Sequence, residues 1–303
     1  MTMLDPAGIA AHTIAGVAWS LFVGSTLIFS GVMALLVVAL RQRMGKVNMR
    51  WWIVGGGLIF PAVVLAILIG YTVVRSAQLT RPPPADALVV SVTGKMWWWE
   101  VRYRRPDGTD VVLANEIHIP VNRPVVVGLS SADVIHSFWV PQLGGKMDMV
   151  PGRTNQLVLR ATAPGVFRGQ CAEYCGEQHA RMAMHVVAHE PADFEVWLAA
   201  QAQPARPPVS PLAERGRSAF IAQRCTACHT VRGVSEEGRL GPDLTHVGSR
   251  LHLGAGTLRN DAAAMQRWIA HVQTVKPGAR MPSFEERDAA SLEAMAAWLD
   301  GLK

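Results

Sequence analysis

At 303 residues the chain has room for two or three domains. Half of its residues are hydrophobic and only 17% are charged, a balance that suggests membrane spans. The formal charge of +6 invites a nucleic-acid reading and does not sustain it. Arg41, Arg43, Lys46 and Arg50 supply four of the positive charges from one short acid-free stretch, and no RNA- or DNA-binding motif accompanies them.

Residues 1–13 carry Asp5 and lack the basic start of a signal peptide, which leaves open whether a presequence is removed. Two apolar, uncharged stretches follow, about 14–40 and 51–74, the second containing Gly55-Gly-Gly57 and Pro61. Each is longer than the roughly 20 residues a helix needs to cross the hydrocarbon core of a lipid bilayer. Residues 1–80 are therefore expected to form an N-terminal segment and a transmembrane helix hairpin. The basic loop 41–50 should stay in the cytoplasm. Both ends of the hairpin, and everything after Arg75, then face the periplasmic side of a bacterial plasma membrane. Trp51 and Trp52 fit an interfacial belt, and Arg81-Pro-Pro-Pro84 reads as a stiff spacer.

From Ala87 to about Trp197 the pattern changes to short β-branched runs such as Ala87-Leu-Val-Val-Ser-Val-Thr93 and Pro124-Val-Val-Val-Gly128. Divided by Gly, Pro and Asn, they predict an antiparallel sandwich or barrel over 81–199. Its chemistry is concentrated in Cys171-Ala-Glu-Tyr-Cys175-Gly-Glu-Gln-His179-Ala-Arg-Met182. Thiolate and thioether donors select copper, zinc or iron–sulfur over hard cations, and the Met points toward copper. A second imidazole must come from elsewhere, and His136, at the end of a strand-like run, is the candidate. A disulfide or a zinc site remains the alternative, although a disulfide leaves the His and Met spacing unexplained and zinc has no use for the Met. Trp97-Trp-Trp99 reads as strand core with its opposite face, and His185 and His189 as exposed or hydrogen-bonded surface histidines.

Residues 200–212, rich in Gln, Ala and Pro, cannot bury a core and read as a linker. Over 213–303, Cys225-Thr-Ala-Cys228-His229 is the c-type haem attachment pattern: two thiols for the porphyrin vinyls and an adjoining axial imidazole. All four cysteines thus fall in metal or haem patterns. Met265 and Met295 sit in helical patterns beside Trp268 and Trp298, where they read as core. Met281 is followed by a proline that ends any helix and frees its side chain, which makes it the candidate sixth ligand, with His246, His252 and His271 as alternatives. A Met ligand raises a haem's potential relative to a second His.

The copper-type loop, with the upstream His136-Ser-Phe138, resembles the binuclear copper centre of subunit II of haem–copper cytochrome c oxidases. That resemblance implies a cupredoxin-like Greek-key barrel in which Cys171 and Cys175 bridge two coppers. His136 and His179 would each bind one copper, Met182 would be a weak ligand, and Glu173 would bind through its backbone carbonyl, its side chain reaching a magnesium at the subunit I border. Gly94-Lys-Met-Trp-Trp-Trp99 is similar to the family's Gly-x-Gln-Trp-x-Trp, which makes Trp97 a candidate for the point where electrons arrive; Met96 stands where the family has Gln. Lys146-Met-Asp-Met-Val-Pro-Gly-Arg153 matches a family turn near the subunit I contact.

The helices expected around Glu214–Arg224 and Ala289–Leu302, with Leu240-Gly-Pro-Asp-Leu244 and the Pro-Gly-x-x-Met-Pro of Met281, resemble a class I cytochrome c. Together the parts resemble caa-type subunit II, in which the haem domain is fused to its acceptor. The implied partners are oxidase subunits I and III, a soluble or membrane-bound cytochrome c or upstream reductase complex as donor, and the bilayer, with no nucleic acid. Electrons would pass from haem c to the copper pair and on to subunit I haem, where oxygen is reduced to water and protons are pumped. No Asp or Glu lies between Asp5 and Asp86, so the glutamate that many relatives place at a proton path must be replaced from another subunit. A tether of a dozen residues would hold the haem domain at an effective concentration reaching the millimolar range. Other readings are a membrane-tethered copper chaperone or a copper electron carrier outside an oxidase.

Overall fold

The computed structural model describes residues 3–41, 48–79 and 82–303. Arg43, Lys46 and Arg81, named above for the basic loop and the spacer, lie outside them. The chain divides into two compact units, Ala10–Pro82 and Met1–Ile9 with Pro83–Lys303.

The first unit is a pair of long apolar helices. α1 spans Ile9–Arg41, starting several residues before the expected span. The second begins with π-helical turns over Trp51–Ile59 and continues as α2, Phe60–Ala77. The Phe60 N–H reaches back five residues to Gly55 O, a widened turn made over the Gly55–Gly57 run, where there are no side chains to crowd it. The mean hydropathy of the most apolar windows is 2.4 and 2.5, and large apolar side chains such as Leu27, Phe29 and Ile67 point outward. A polar contact links the pair, Ser20 Oγ lying 3.2 Å from Tyr71 Oη.

In the second unit, two five-stranded sheets face each other. The strands are β1 (Leu88–Lys95), β2 (Trp98–Arg104), β3 (Asp110–Ala114), β4 (Glu116–Pro120), β5 (Val125–Ser131), β6 (His136–Trp139), β7 (Met147–Met149), β8 (Asn155–Leu159), β9 (Gly165–Cys171) and β10 (Ala183–His189). Their orders are β3-β2-β1-β5-β8 and β4-β10-β9-β6-β7. The expectation of a wholly antiparallel sandwich needs correction, because β1 pairs parallel with β5 and β4 with β10. Successive strands cross between the sheets before returning, so a strand can meet a same-direction neighbour far along the chain. Alternation then fills the space between the sheets with Val90, Val92, Trp99, Val101, Leu129, Phe138 and Val186, among others. The expected turn at Lys146–Arg153 is partly strand: β7 pairs with β6, His136 opposite Met149, before Gly152 turns the chain at φ +75°.

α3 (Pro191–Gln201) closes the barrel, with Phe194 buried and Trp197 stacked on His118 at 3.9 Å between ring centroids. The haem-type region has its own core. It comprises α4 (Pro211–Ala222), a short hairpin of β11 (His252–Leu253) and β12 (Leu258–Arg259), α5 (Ala262–Ala270), α6 (Val272–Val275) and α7 (Ala289–Asp300). Ser210, Asp261 and Asp288 cap α4, α5 and α7, each side chain accepting a first-turn N–H. α4 and α7 cross closely at Gly216, where an added Cβ would collide with Ala294 O, and Phe220 meets Trp298 edge-on at 5.0 Å. Much of the stretch read as a linker is held down. Arg232 donates to Gln201 O and Ala202 O at 2.6 and 3.1 Å, and Ala205 N donates to Arg232 O at 2.9 Å.

Candidate metal and haem sites

Three neighbouring strands assemble the first site. β6 begins with His136, β9 ends with Cys171, and the loop between β9 and β10 carries Cys175, His179 and Met182. Cross-strand bonds hold the loop's base: Cys171 N donates to Met182 O and Ala172 N to Ser137 O, both at 2.9 Å. Cys171, Cys175 and Met182 are themselves buried members of the barrel core, so packing on all sides restrains the sulfurs.

The donors converge. Cys171 Sγ lies 3.8 Å from Cys175 Sγ, 3.9 Å from His136 Nδ1 and 3.1 Å from Glu173 O. Cys175 Sγ lies 3.6 Å from His179 Nδ1 and 3.8 Å from Met182 Sδ. Ligand atoms of His136, Cys171 and Cys175 all fall within 4.8 Å of one another. The sulfur separation is far beyond the ~2.05 Å of a disulfide, and both cysteines are free. A hydrogen bond from the Cys175 thiol, above all, holds Cys171 well below the usual thiol range despite its burial. The negative sulfur beside it, and burial, push Cys175 up. The pair thus gives up one proton readily and a second only against added positive charge, the condition soft metal cations meet. Two imidazoles, a thioether and a carbonyl arranged about a pair of thiol sulfurs suit copper.

Asp133, which the sequence reading passed over, orients His136. Its Oδ1 lies 2.8 Å from His136 Nε2, so that nitrogen carries the proton and Nδ1 is left facing Cys171. The same carboxylate accepts from Met96 N at 2.7 Å and from Val134 N at 2.8 Å. Burial opposes its charge, but these bonds overcome it and hold the carboxyl below its usual range. An acid three residues before a candidate ligand was the available signal. Gly94 makes room for the same ring: a Cβ there would stand 2.8 Å from His136 Cδ2. Trp97 is half-buried, its Nε1 donating to Cys175 O at 2.8 Å. Trp99 is wholly buried against His136 and Phe138. The Glu173 carboxylate is partly exposed, 4.0 Å from Lys146 Nζ.

In the haem-type region, Cys225 and Cys228 are free and flank a single helical turn. His229 Nδ1 donates to Pro242 O at 2.8 Å, leaving Nε2 as the ligating nitrogen. Burial pushes this imidazole down, toward the neutral form that binds a metal. Gly241 passes so close that a Cβ would be 2.5 Å from His229 Cε1. The loop of Met281 is pinned by Gln273, whose Nε2 donates to Ala279 O and Met281 O at 2.7 Å. The three alternative histidines are engaged elsewhere. His246 Nε2 lies 3.0 Å from Gln203 O, His271 Nδ1 lies 3.2 Å from Glu285, and His252 stacks on His185 at 4.5 Å. His185 is therefore not a surface residue as expected; it is buried where the barrel meets the haem-type region. His189 is bonded to His118, 2.7 Å between ring nitrogens.

Fold and sites together define a membrane-anchored electron carrier that joins a cupredoxin-like barrel with a soft-metal site to a cytochrome c. Known proteins bear this out. Residues 109–189 match the cytochrome c oxidase subunit II periplasmic domain, and residues 213–303 match cytochrome c. The chain is 35% identical over 250 residues to cytochrome c oxidase subunit 2 of Alkalihalophilus pseudofirmus, covering 81% of this chain and 71% of that one. It is 30% identical over 263 residues to the Bacillus subtilis protein of the same name, covering 81% and 73%. The periplasmic domain of subunit II of cytochrome oxidase from Bradyrhizobium japonicum is 35% identical, with a TM-score of 0.37 over 39% of this chain and 95% of that one. The chain belongs to the cytochrome c oxidase subunit 2 family, in the form that carries a fused cytochrome c domain. It is a membrane protein of an oxidase complex, and its two soluble domains are those of a copper and a haem protein in electron transport.

Proposed function

We propose that the chain is the electron-input subunit of a proton-pumping terminal oxidase, passing electrons from haem c to a binuclear copper centre and on to subunit I haem. The observation that carries this is the gathering of two donors about each of the paired thiols: His136 and Glu173 O at Cys171, His179 and the Met182 thioether at Cys175. When bound, the copper pair and the haem supply one-electron carriers. The residues of the chain do the rest. Cys171, Cys175, His136, His179, Met182 and Glu173 O would hold the copper pair. Cys225 and Cys228 would hold the porphyrin covalently, and His229 and Met281 would bind its iron. Trp97, in contact with Cys175 O, lies where electrons arrive. The Glu173 carboxylate takes part in a magnesium site toward subunit I.

Burial and strand hydrogen bonds keep these ligands in one arrangement through both redox states, so little reorganisation accompanies each electron. The hairpin carries its basic loop in the cytoplasm and both soluble domains in the periplasm, where a cytochrome c or a reductase complex delivers electrons. Residues 81–199 and 213–303 act as the copper and haem domains, joined through 200–212. Subunits I and III complete the complex and supply the oxygen chemistry and proton uptake.

Elemental analysis of the purified chain tests the reading: two coppers and one iron per chain are expected, and the copper should be lost in Cys171→Ser with the haem retained. A single zinc, or a Cys171–Cys175 disulfide in active protein, refutes it.

A further inference from the structure

The segment that carries Met281 also carries a buried cation that the sites above do not use. Lys276 is 3% exposed. Its Nζ donates to three backbone carbonyls, Trp97 O, Arg181 O and Gly254 O, each at 2.8 Å. An ammonium has three donors, and all three are satisfied. Two of the acceptors belong to the copper barrel and one to the haem domain, so a single side chain bonds across the junction. The contact is reciprocated next door, where Arg181 donates from Nη1 to Val275 O at 2.7 Å.

Position adds to this. Trp97, whose carbonyl takes one bond, donates its own indole N–H to Cys175 O. Arg181, whose carbonyl takes another, directly precedes Met182. Two residues beyond Lys276, Gly278 lies over the same indole: a Cβ there would be 3.5 Å from Trp97 Cη2 and 2.8 Å from Glu177 Oε2. A further backbone bond, Ala183 N to Ala255 O at 3.0 Å, continues the seam. Burying a lysine is costly unless its charge is met. Burial pushes this one down to about 7, and the charge of Arg181 adds to the shift. Three carbonyls brought to one point make that burial tolerable.

We propose that Lys276, with Arg181, is the clasp that docks the haem domain on the copper loop and sets the pose for electron transfer between them. Lys276 is a positioning residue. It acts by holding the Met281 loop against Trp97, and the role rests on the proposed function above. Losing three charge-assisted hydrogen bonds should weaken docking at least about tenfold.

The test uses the full chain with a protease site inserted beside Val209, which is 93% exposed, and compares wild type with Lys276→Met, similar in length and uncharged. After cleavage the wild-type haem fragment should co-elute with the barrel, and the variant fragment should dissociate at least about tenfold more readily. Flash-initiated electron transfer from haem to copper in the uncut variant should slow and become dependent on ionic strength, with the absorption bands of both domains unchanged. Co-elution of the variant fragment as tight as wild type, or release of the wild-type fragment too, overturns the clasp. Co-elution requires no metal, so its outcome is independent of the metal analysis that tests the copper and haem assignment.

Discussion

Removing the Asp133 carboxylate is the sharpest probe of how the copper site is held. Asp133→Ala deletes three hydrogen bonds of 2.7–2.8 Å, to His136 Nε2, Met96 N and Val134 N. Bonds to a charged group contribute about 1.5–3 kcal/mol each, but water re-solvates the exposed Val134 N–H more readily than the Met96 N–H. A net loss of about 3 kcal/mol in folding stability follows. The larger effect falls on the metal, because His136 then loses the acceptor that fixes its tautomer; groups of this kind typically govern about 10–100-fold in metal affinity. Asp133→Asn keeps an acceptor for Nε2 and should lie between alanine and wild type. Copper titration against a competing chelator, followed by visible absorption, separates the cases. Wild-type copper affinity in Asp133→Ala would refute the role assigned to this carboxylate.

Two further predictions follow from single contacts. Gly241→Ala places a methyl 2.5 Å from His229 Cε1 and should displace the imidazole; reduced haem spectra should show a weakened or lost axial ligand with copper content unchanged. The stacked pair His185 and His252 should make the junction acid-sensitive. Burial holds both imidazoles below their usual range, aided at His185 by the charge of His252 and at both by Arg168, with Arg259 adding at His252; Glu116 opposes the shift at both. A depressed folded-state pKa means the unfolded chain takes up protons first, so this contribution is intact above about pH 6.5 and is lost as pH falls below it. Urea midpoints measured from pH 7.5 to pH 5 should fall, and should fall less in His252→Phe.

The elements legible in the sequence are those whose chemistry restricts residue type over a short span. The copper loop, the haem attachment motif and the two apolar helices each announce themselves within about thirty residues, because ligand softness, thioether formation and bilayer thickness leave few alternatives. Contacts between distant segments leave no such local trace. Asp133 meets Met96 across 37 residues and Lys276 meets Trp97 across 179. Nothing in Thr274-Val-Lys-Pro-Gly278 distinguishes a buried lysine from a solvated one. The parallel pairs β1/β5 and β4/β10 were hidden for a related reason: alternation tells which face a side chain takes, not which strand lies beside it. His185 looked like a surface residue because its partner, His252, belongs to another domain.

The junction bears on how fusion works in this chain. A tether alone supplies at most a millimolar effective concentration, which favours weak docking steered by surface charge and sensitive to salt. The contacts found are of another kind. Lys276 and Arg181 bond to carbonyls, Glu116 Oε1 accepts Leu251 N at 2.6 Å, and Arg232 binds Gln201 O and Ala202 O. Partly buried hydrogen bonds of this sort are screened far less than exposed ion pairs. With residues 201–205 already bonded to the haem domain, the linker positions that domain as well as restraining it. A single cut beside Val209 should then leave turnover nearly independent of haem-domain concentration at moderate salt, contrary to what a loose tether implies. The same cut combined with Lys276→Met should restore that dependence.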